Sequence, residues 1–391
     1  MPSRSTALHS RSRHGVPRKA RLHYASPEGD ADMLYATGFL APDPLLFLQL
    51  GHQRLMAASD LELGRARRSA RVHRVLSWSA YAREIGRQGR RATVARVIQR
   101  VLAEHHVTRI TVPGSFPLGL ARELTRGGVR LLTEAGPFWP QRAVKRVDEV
   151  RAIVVALRAA EAGIEAGIAA LRTCRVGQDG FLRRAGQRFT AEELRAVVNT
   201  AVLARGAVPA HTICACGDQA VDPHEGGHGP LRAHVPIVID VFPRAEATGY
   251  FADITRTVVR GHASDHVRRI YAVVSQALDA ALASARPGRS GAAVHARVHE
   301  HFERCGFTTG EVRGRMQGFI HGTGHGVGLE IHEAPAISSR QPSQRLRRGQ
   351  LIALEPGLYY LGVGGVRIED LAVVTRVGCR RLTRLPRLLE I

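Results

Sequence analysis

Five polar residues stand inside stretches that are otherwise apolar: Asp240 in PIVIDVF, Asp253 in FADITR, His325 in GTGHGVG, Glu355 in IALEPG and Glu369 in VRIED. A carboxylate among Val, Ile, Leu and Ala is unfavourable unless it is paired or binds a metal. Any one of them alone reads more simply as a strand-end residue. Four acids and an imidazole, each in its own apolar strand, ask for a common explanation. Such a set can hold two divalent cations about 3.5–4 Å apart, with two carboxylates bridging and offsetting the repulsion between the cations. A water between them is acidified enough to act as hydroxide near neutral pH. Carboxylate-rich donors suit manganese, cobalt, zinc or iron, and composition does not choose among them.

A further layer surrounds this set. His321, His325 and His332 share the segment HGTGHGVGLEIHEAP, where Gly322, Gly324, Gly326 and Gly328 allow close backbone approach. The segment lacks the strand and helix context of a dinucleotide loop. A histidine that is not a ligand can polarise a substrate carbonyl or steady an oxyanion. Thr255 lies two residues past Asp253, on the same strand face, and can hydrogen-bond a ligand; an ordinary β-branched strand residue is the equal alternative. Arg367 shares a face with Glu369, and a salt bridge to a nearby acid is its plainer reading.

The elements that must position these residues follow from patterning. MLYATGFL and PLLFLQL read as short strands, Leu61 to Arg71 as a charged helix, TVARVIQRVLAEHH as an amphipathic helix and RITVPGSF as a buried strand. Together they describe a small α/β domain ending near Gly136. Pro137 and Pro140 punctuate a junction, and an amphipathic stretch runs from Val147 to about Arg172. Thr190 and Glu193 form a capping box at the start of another helix. PIVIDVF and YFADITRTVV read as a hairpin, followed by helices around His266 to Ala285 and Ala292 to Arg304, then by the glycine-rich and final strands. Two helices plus strands, met twice, suggest a duplicated unit around a central sheet. The expected division is a basic, disordered tail over residues 1–27, a small domain over 28–138 and a catalytic domain over 139–391.

The 391 residues, 44% apolar, suffice for two domains with sizeable cores. There is no uncharged apolar run of membrane-spanning length. The opening residues lack a secretory apolar stretch, and their arginines (Arg4, Arg11, Arg13, Arg18 and Arg21, with Lys19) give a transit-peptide-like composition. Five scattered cysteines without a CxxC pair point to reduced thiols in a cytoplasm, and Cys214 and Cys216 have no partner pair at zinc-site spacing. The net charge of +22, nearly all from arginine, reads as solvated faces rather than a nucleic-acid surface.

The segments PIVIDVF…GYFADITRT, HGTGHGVGLEIHEAP, ALEPGLYY and GGVRIEDLAVVT, in this order, resemble the metallopeptidases of family M24, the pita-bread fold. The resemblance implies an α+β chain: a C-terminal pita-bread (creatinase/aminopeptidase) domain behind a smaller α/β creatinase-type N-terminal domain. It implies that Asp240 chelates one metal, that Asp253 and Glu369 bridge two, and that His325 and Glu355 hold the other, with Glu355 also shuttling the proton. His332 matches the family's substrate-contacting histidine. His321 and Arg367 match positions of the proline-specific members, aminopeptidase P and prolidase. His224 or His228 supplies an upstream site histidine, with His224 favoured by the Pro-His dipeptide. Two divalent ions, manganese foremost, a peptide substrate and a homodimer are the implied cofactors and partners. A metal-free creatinase-like hydrolase of C–N bonds and an RNA- or ribosome-binding module of the same fold are the competing readings.

Overall fold

The computed structural model describes residues 20–134 and 136–391. The chain divides into two compact units between Pro140 and Gln141.

The first unit is a six-stranded sheet with order β4-β3-β2-β1-β5-β6. Its elements are β1 (Ala20–Ala25), α1 (Ala31–Thr37), β2 (Leu45–Leu50), β3 (Gln53–Ala58), α2 (Asp60–Ser69), β4 (Arg74–Ser77), α3 (Trp78–Arg87), α4 (Val94–Glu104), β5 (Arg109–Val112), α5 (Leu118–Arg126) and β6 (Arg130–Thr133). β1, β2 and β3 run antiparallel in sequence, while β4, β5 and β6 join in parallel.

Two expectations are corrected here. Residues 20–27 are not part of a disordered tail: β1 pairs along its whole length with β2, from Ala20↔Leu50 to Ala25↔Leu45. Its cationic look is deceptive, because Arg21 is held by Glu134 and lies over the Phe138 and Trp139 rings. The remainder of the expected tail, residues 1–19, lies outside the described residues. MLYATGFL is not a strand: its first five residues, 33–37, belong to α1. Asp30 caps the helix by accepting from the Met33 amide at 2.7 Å, and Gly38 ends it at φ 58°.

The second unit repeats a helix pair over a sheet. α6 (Val147–Thr173) and α7 (Ala191–Leu203) pack with the strands Ile213–Cys216, Ile237–Val241 and Ile254–Val258. α8 (Asp265–Ser284) and α9 (Gly291–Arg304) share a core with the later strands. The expected capping box of α7 is present: Glu193 N–H donates to Thr190 Oγ1, and Thr190 N–H to the Glu193 carboxylate. The strand Ile237–Val241 lies antiparallel between its neighbours, with Asp240 facing Thr255 across the ladder. The second sheet runs Glu333–Ile337, Gly324–Gly326, Leu351–Leu354, Asp370–Val374, Cys379–Arg381. A separate hairpin pairs Gly357–Tyr360 with Gly364–Arg367. Among the described residues no helix is long and apolar enough to cross a membrane.

Candidate metal centre

Each acid sits at a place where a strand begins, ends or changes partner. Asp240 is the fourth residue of its strand, Asp253 directly precedes Ile254–Val258, Glu355 directly follows Leu351–Leu354, and Glu369 directly precedes Asp370–Val374. Leu354 is paired with Asp370, which brings the ends bearing Glu355 and Glu369 together. His325 lies at the middle of Gly324–Gly326, a strand sandwiched between two others. Only glycine fits on either side of it. A Cβ on Gly324 would stand 1.9 Å from the Ala353 carbonyl oxygen, and one on Gly326 would stand 2.3 Å from that of Ala334.

The five residues converge. His325 Nε2 lies 3.6 Å from Asp253 Oδ2 and 3.6 Å from Glu355 Oε1. Donor atoms of Asp253, His325 and Glu369 all fall within 4.8 Å of one another. Thr255 Oγ1 stands 2.9 Å from both Asp240 Oδ1 and Glu369 Oε2. One hydroxyl proton cannot serve two carboxylates, and the second Glu369 oxygen, Oε1, is buried with no hydrogen-bond partner. Burial, reinforced by the neighbouring carboxylates, raises Asp253 and Glu369 well above the usual range and pushes Glu355 up to about 7. A buried cluster of acids short of positive charge, with an oxygen left over and an imidazole facing in, is the donor set that divalent cations complete.

The imidazoles are arranged to match. His325 Nδ1 lies 3.2 Å from the Gly326 carbonyl, so Nδ1 carries the proton and the Nε2 lone pair faces the carboxylates. Burial lowers this ring to about 4, keeping it neutral. His321 is lowered to about 3 by burial and then by Arg367. Its Nδ1–H donates to the Gly322 carbonyl at 2.7 Å, leaving Nε2 to accept from the Tyr359 hydroxyl at 2.8 Å. The His332 ring stands edge-on to His325, 4.3 Å between centroids, and is exposed.

Arg367 is 3% exposed and points into the protein. It donates to Asp240 Oδ2 at 2.8 Å, to the Tyr359 hydroxyl at 3.1 Å and to Thr255 Oγ1 at 3.3 Å. The salt-bridge reading therefore describes it better than direct contact with substrate. Of the two upstream histidines, His224 is near enough to depress His321 and His332 electrostatically, and its neighbour Pro223 accepts from Arg367. His228 instead faces Glu225 at 3.5 Å and is 70% exposed.

Two features escape sequence reasoning. Tyr359 joins His321 to Arg367 from within a strand whose apolar alternation gives a buried tyrosine no distinction. Arg256, 1% exposed, donates to the carbonyls of Thr255, Glu369, Leu385 and Pro386 and to Asp370 Oδ1, knitting the backs of two site strands together.

The sequence profile of metallopeptidase family M24 matches residues 151–376, more than half of the chain. The chain belongs to that family. It is 41% identical over 139 residues to the uncharacterized peptidase YqhT of Bacillus subtilis, covering 36% of this chain and 37% of that one. It is 33% identical over 176 residues to an Xaa-Pro dipeptidase of Pyrococcus furiosus, covering 45% and 48%. The matches thus span less than half the length of these curated relatives. The structure of an X-Pro aminopeptidase from Thermotoga maritima superposes with a TM-score of 0.80 at 25% identity, over 96% of this chain and 98% of that one. The architecture is accordingly the pita-bread fold with a smaller α/β unit before it, as the M24 resemblance implied.

Proposed function

We propose that this M24 protein is a dinuclear metal-dependent peptidase that cleaves the bond between an N-terminal residue and proline. The observation that carries this reading is the convergence of Asp240, Asp253, His325, Glu355 and Glu369 in a buried cluster of four acids whose cationic partner is Arg367, paired with Asp240. The names and fold of the relatives add the Xaa-Pro preference.

Asp240, Asp253, His325, Glu355 and Glu369 would hold two divalent ions, manganese foremost with cobalt, zinc or iron as alternatives, which supply Lewis acidity and an acidified water. Glu355 is the proton carrier: it takes the proton of the attacking water and delivers it to the departing proline nitrogen. His332 and His224 stand on the exposed side, where an imidazole N–H can donate to the scissile carbonyl oxygen. His321, locked by Tyr359 and Gly322, presents a fixed ring face beside the substrate. Arg367 and Thr255 act through Asp240 and Glu369 rather than on the peptide.

On this reading the first unit, from β1 to Pro140, is the creatinase-type N-terminal domain, and residues 141–391 are the catalytic domain. A homodimer is the expected assembly. The five free cysteines fit a reducing compartment such as the cytoplasm. A metal-free hydrolase would leave the Asp253, Glu355 and Glu369 carboxyls without compensation, and nothing specific favours a nucleic-acid-binding role.

The test is a manganese-supplemented assay over Xaa-Pro dipeptides and longer Xaa-Pro peptides, against Asp253→Ala. Hydrolysis lost in the variant supports the proposal, and equal rates refute it. A preference for dipeptides makes the enzyme a prolidase, and a preference for longer peptides an aminopeptidase P.

A further inference from the structure

The loop between the strands Gly324–Gly326 and Glu333–Ile337 carries His332, and its two sides are joined by a single nitrogen. Arg142 Nη2 donates to Glu330 Oε2 at 2.7 Å and to Glu333 Oε2 at 2.9 Å. These two glutamates stand two residues before and one residue after His332. The other Glu333 oxygen accepts from the Lys145 ammonium, whose side chain is 1% exposed. The Glu333 carboxylate also packs against the loop backbone: a Cβ on Gly328 would lie 2.5 Å from Glu333 Oε1. The loop has three backbone ties besides, Val327 N–H to the Leu351 carbonyl, Gly328 N–H to the Glu330 carbonyl and Phe251 N–H to the Gly328 carbonyl, and the Ile331 backbone bonds the His325 ring. Gly326 is paired with Glu333 across a register shift, so the ladder alone does not dictate the loop's path.

Two cations around one buried carboxylate form a strong, geometrically demanding arrangement. Arg142 and Lys145 lie in the segment leading into α6, remote in sequence from the loop. We propose that Arg142 and Lys145 form a clamp on Glu333 and Glu330 whose role is to set the position of His332 beside His325, making both cations positioning residues for substrate binding. This rests on the peptidase reading insofar as His332 meets the substrate.

The clamp acts through the loop, so its removal loosens His332 without removing any proposed metal ligand. Arg142→Gln is the main variant. Glu330→Gln, on a side chain 56% exposed, is the milder one and removes only the outer arm. With an Xaa-Pro dipeptide and manganese, Arg142→Gln is expected to lower kcat/KM about tenfold. In a His332→Ala background the same substitution is expected to have almost no further effect, and Arg142→Lys is expected to recover part of the loss. Hydrogen exchange of the intact variant, read without substrate, is expected to quicken over residues 326–333 and not elsewhere. Glu330→Gln is expected to quicken it less. An equal loss of activity in both His332 backgrounds, or exchange that is unchanged or raised throughout the molecule, overturns the clamp. If the wild-type protein hydrolyses no Xaa-Pro peptide, the peptidase reading fails, and exchange confined to 326–333 still upholds the clamp while unchanged exchange rejects it.

Discussion

Arg367 Nη2 lies 2.8 Å from Asp240 Oδ2, and both side chains are nearly withdrawn from solvent, at 4% and 11%. Removing one member of such a pair leaves the other buried and uncompensated. Arg367→Met is therefore expected to destabilise the metal-free protein by roughly 3–5 kcal/mol. Urea unfolding reads this directly. Saturating manganese should shrink the loss, because cations at the site would compensate Asp240. A loss of the same size with and without manganese would count against the assignment of Asp240 as a ligand.

Thr255→Val removes a hydroxyl while keeping the β-branched shape that the strand requires. Because Thr255 Oγ1 lies between Asp240 and Glu369, the variant is expected to bind manganese roughly 10–100-fold more weakly. Calorimetric titration of the stripped protein measures it. Unchanged affinity would make Thr255 an ordinary strand residue.

Gly324→Ala would push a methyl group to 1.9 Å from the Ala353 carbonyl oxygen. No side-chain rotation relieves a clash with backbone, so the strand carrying His325 must move. Destabilisation of several kcal/mol is expected, visible as a lowered melting temperature together with lost manganese binding. A folded variant with intact metal affinity would show that this close approach is dispensable.

Asp30 contributes a pH-dependent element in the first unit. Partial burial opposes its ionisation, but the hydrogen bond from His23 and the Met33 amide win, and its carboxyl is lowered. A group whose folded value is depressed stabilises above its unfolded value of about 4 and loses that contribution as pH falls through the folded value. Asp30→Asn is therefore expected to flatten the acid limb of the stability curve below about pH 5. At neutral pH it should cost at most about 1 kcal/mol, since asparagine also caps helices. Chemical unfolding repeated across pH 2–7 tests this, and an unaltered acid limb contradicts it.

The metal-binding candidates were legible because each puts a polar group into an apolar stretch where burial is costly, although the structure sets Asp253, Glu355 and Glu369 just beyond their strand ends. The scaffold was less so. α1 hid in MLYATGFL because aromatic and leucine residues suggest a strand, although Asp30 and Gly38 mark helix ends. β1 hid because Arg21 suggests a solvated tail, and only the folded chain reveals the Phe138 and Trp139 rings beneath it. Arg367 was noticed but its direction was not, since pattern places a residue on a face without saying which partner waits there. Tyr359 and Arg256 act through groups distant in sequence, and no spacing announces them.

Arg256 has one more implication. Its guanidinium relies on the carbonyls of Leu385 and Pro386 as much as on those of Thr255 and Glu369. Trimming the chain ahead of Leu385 would strip two of its acceptors from a buried guanidinium at the rear of the strands that bear the candidate ligands. Residues 385–386 thus serve as the keystone of a wall whose front they never reach, and protein engineers should treat them as belonging to the active centre rather than as expendable sequence.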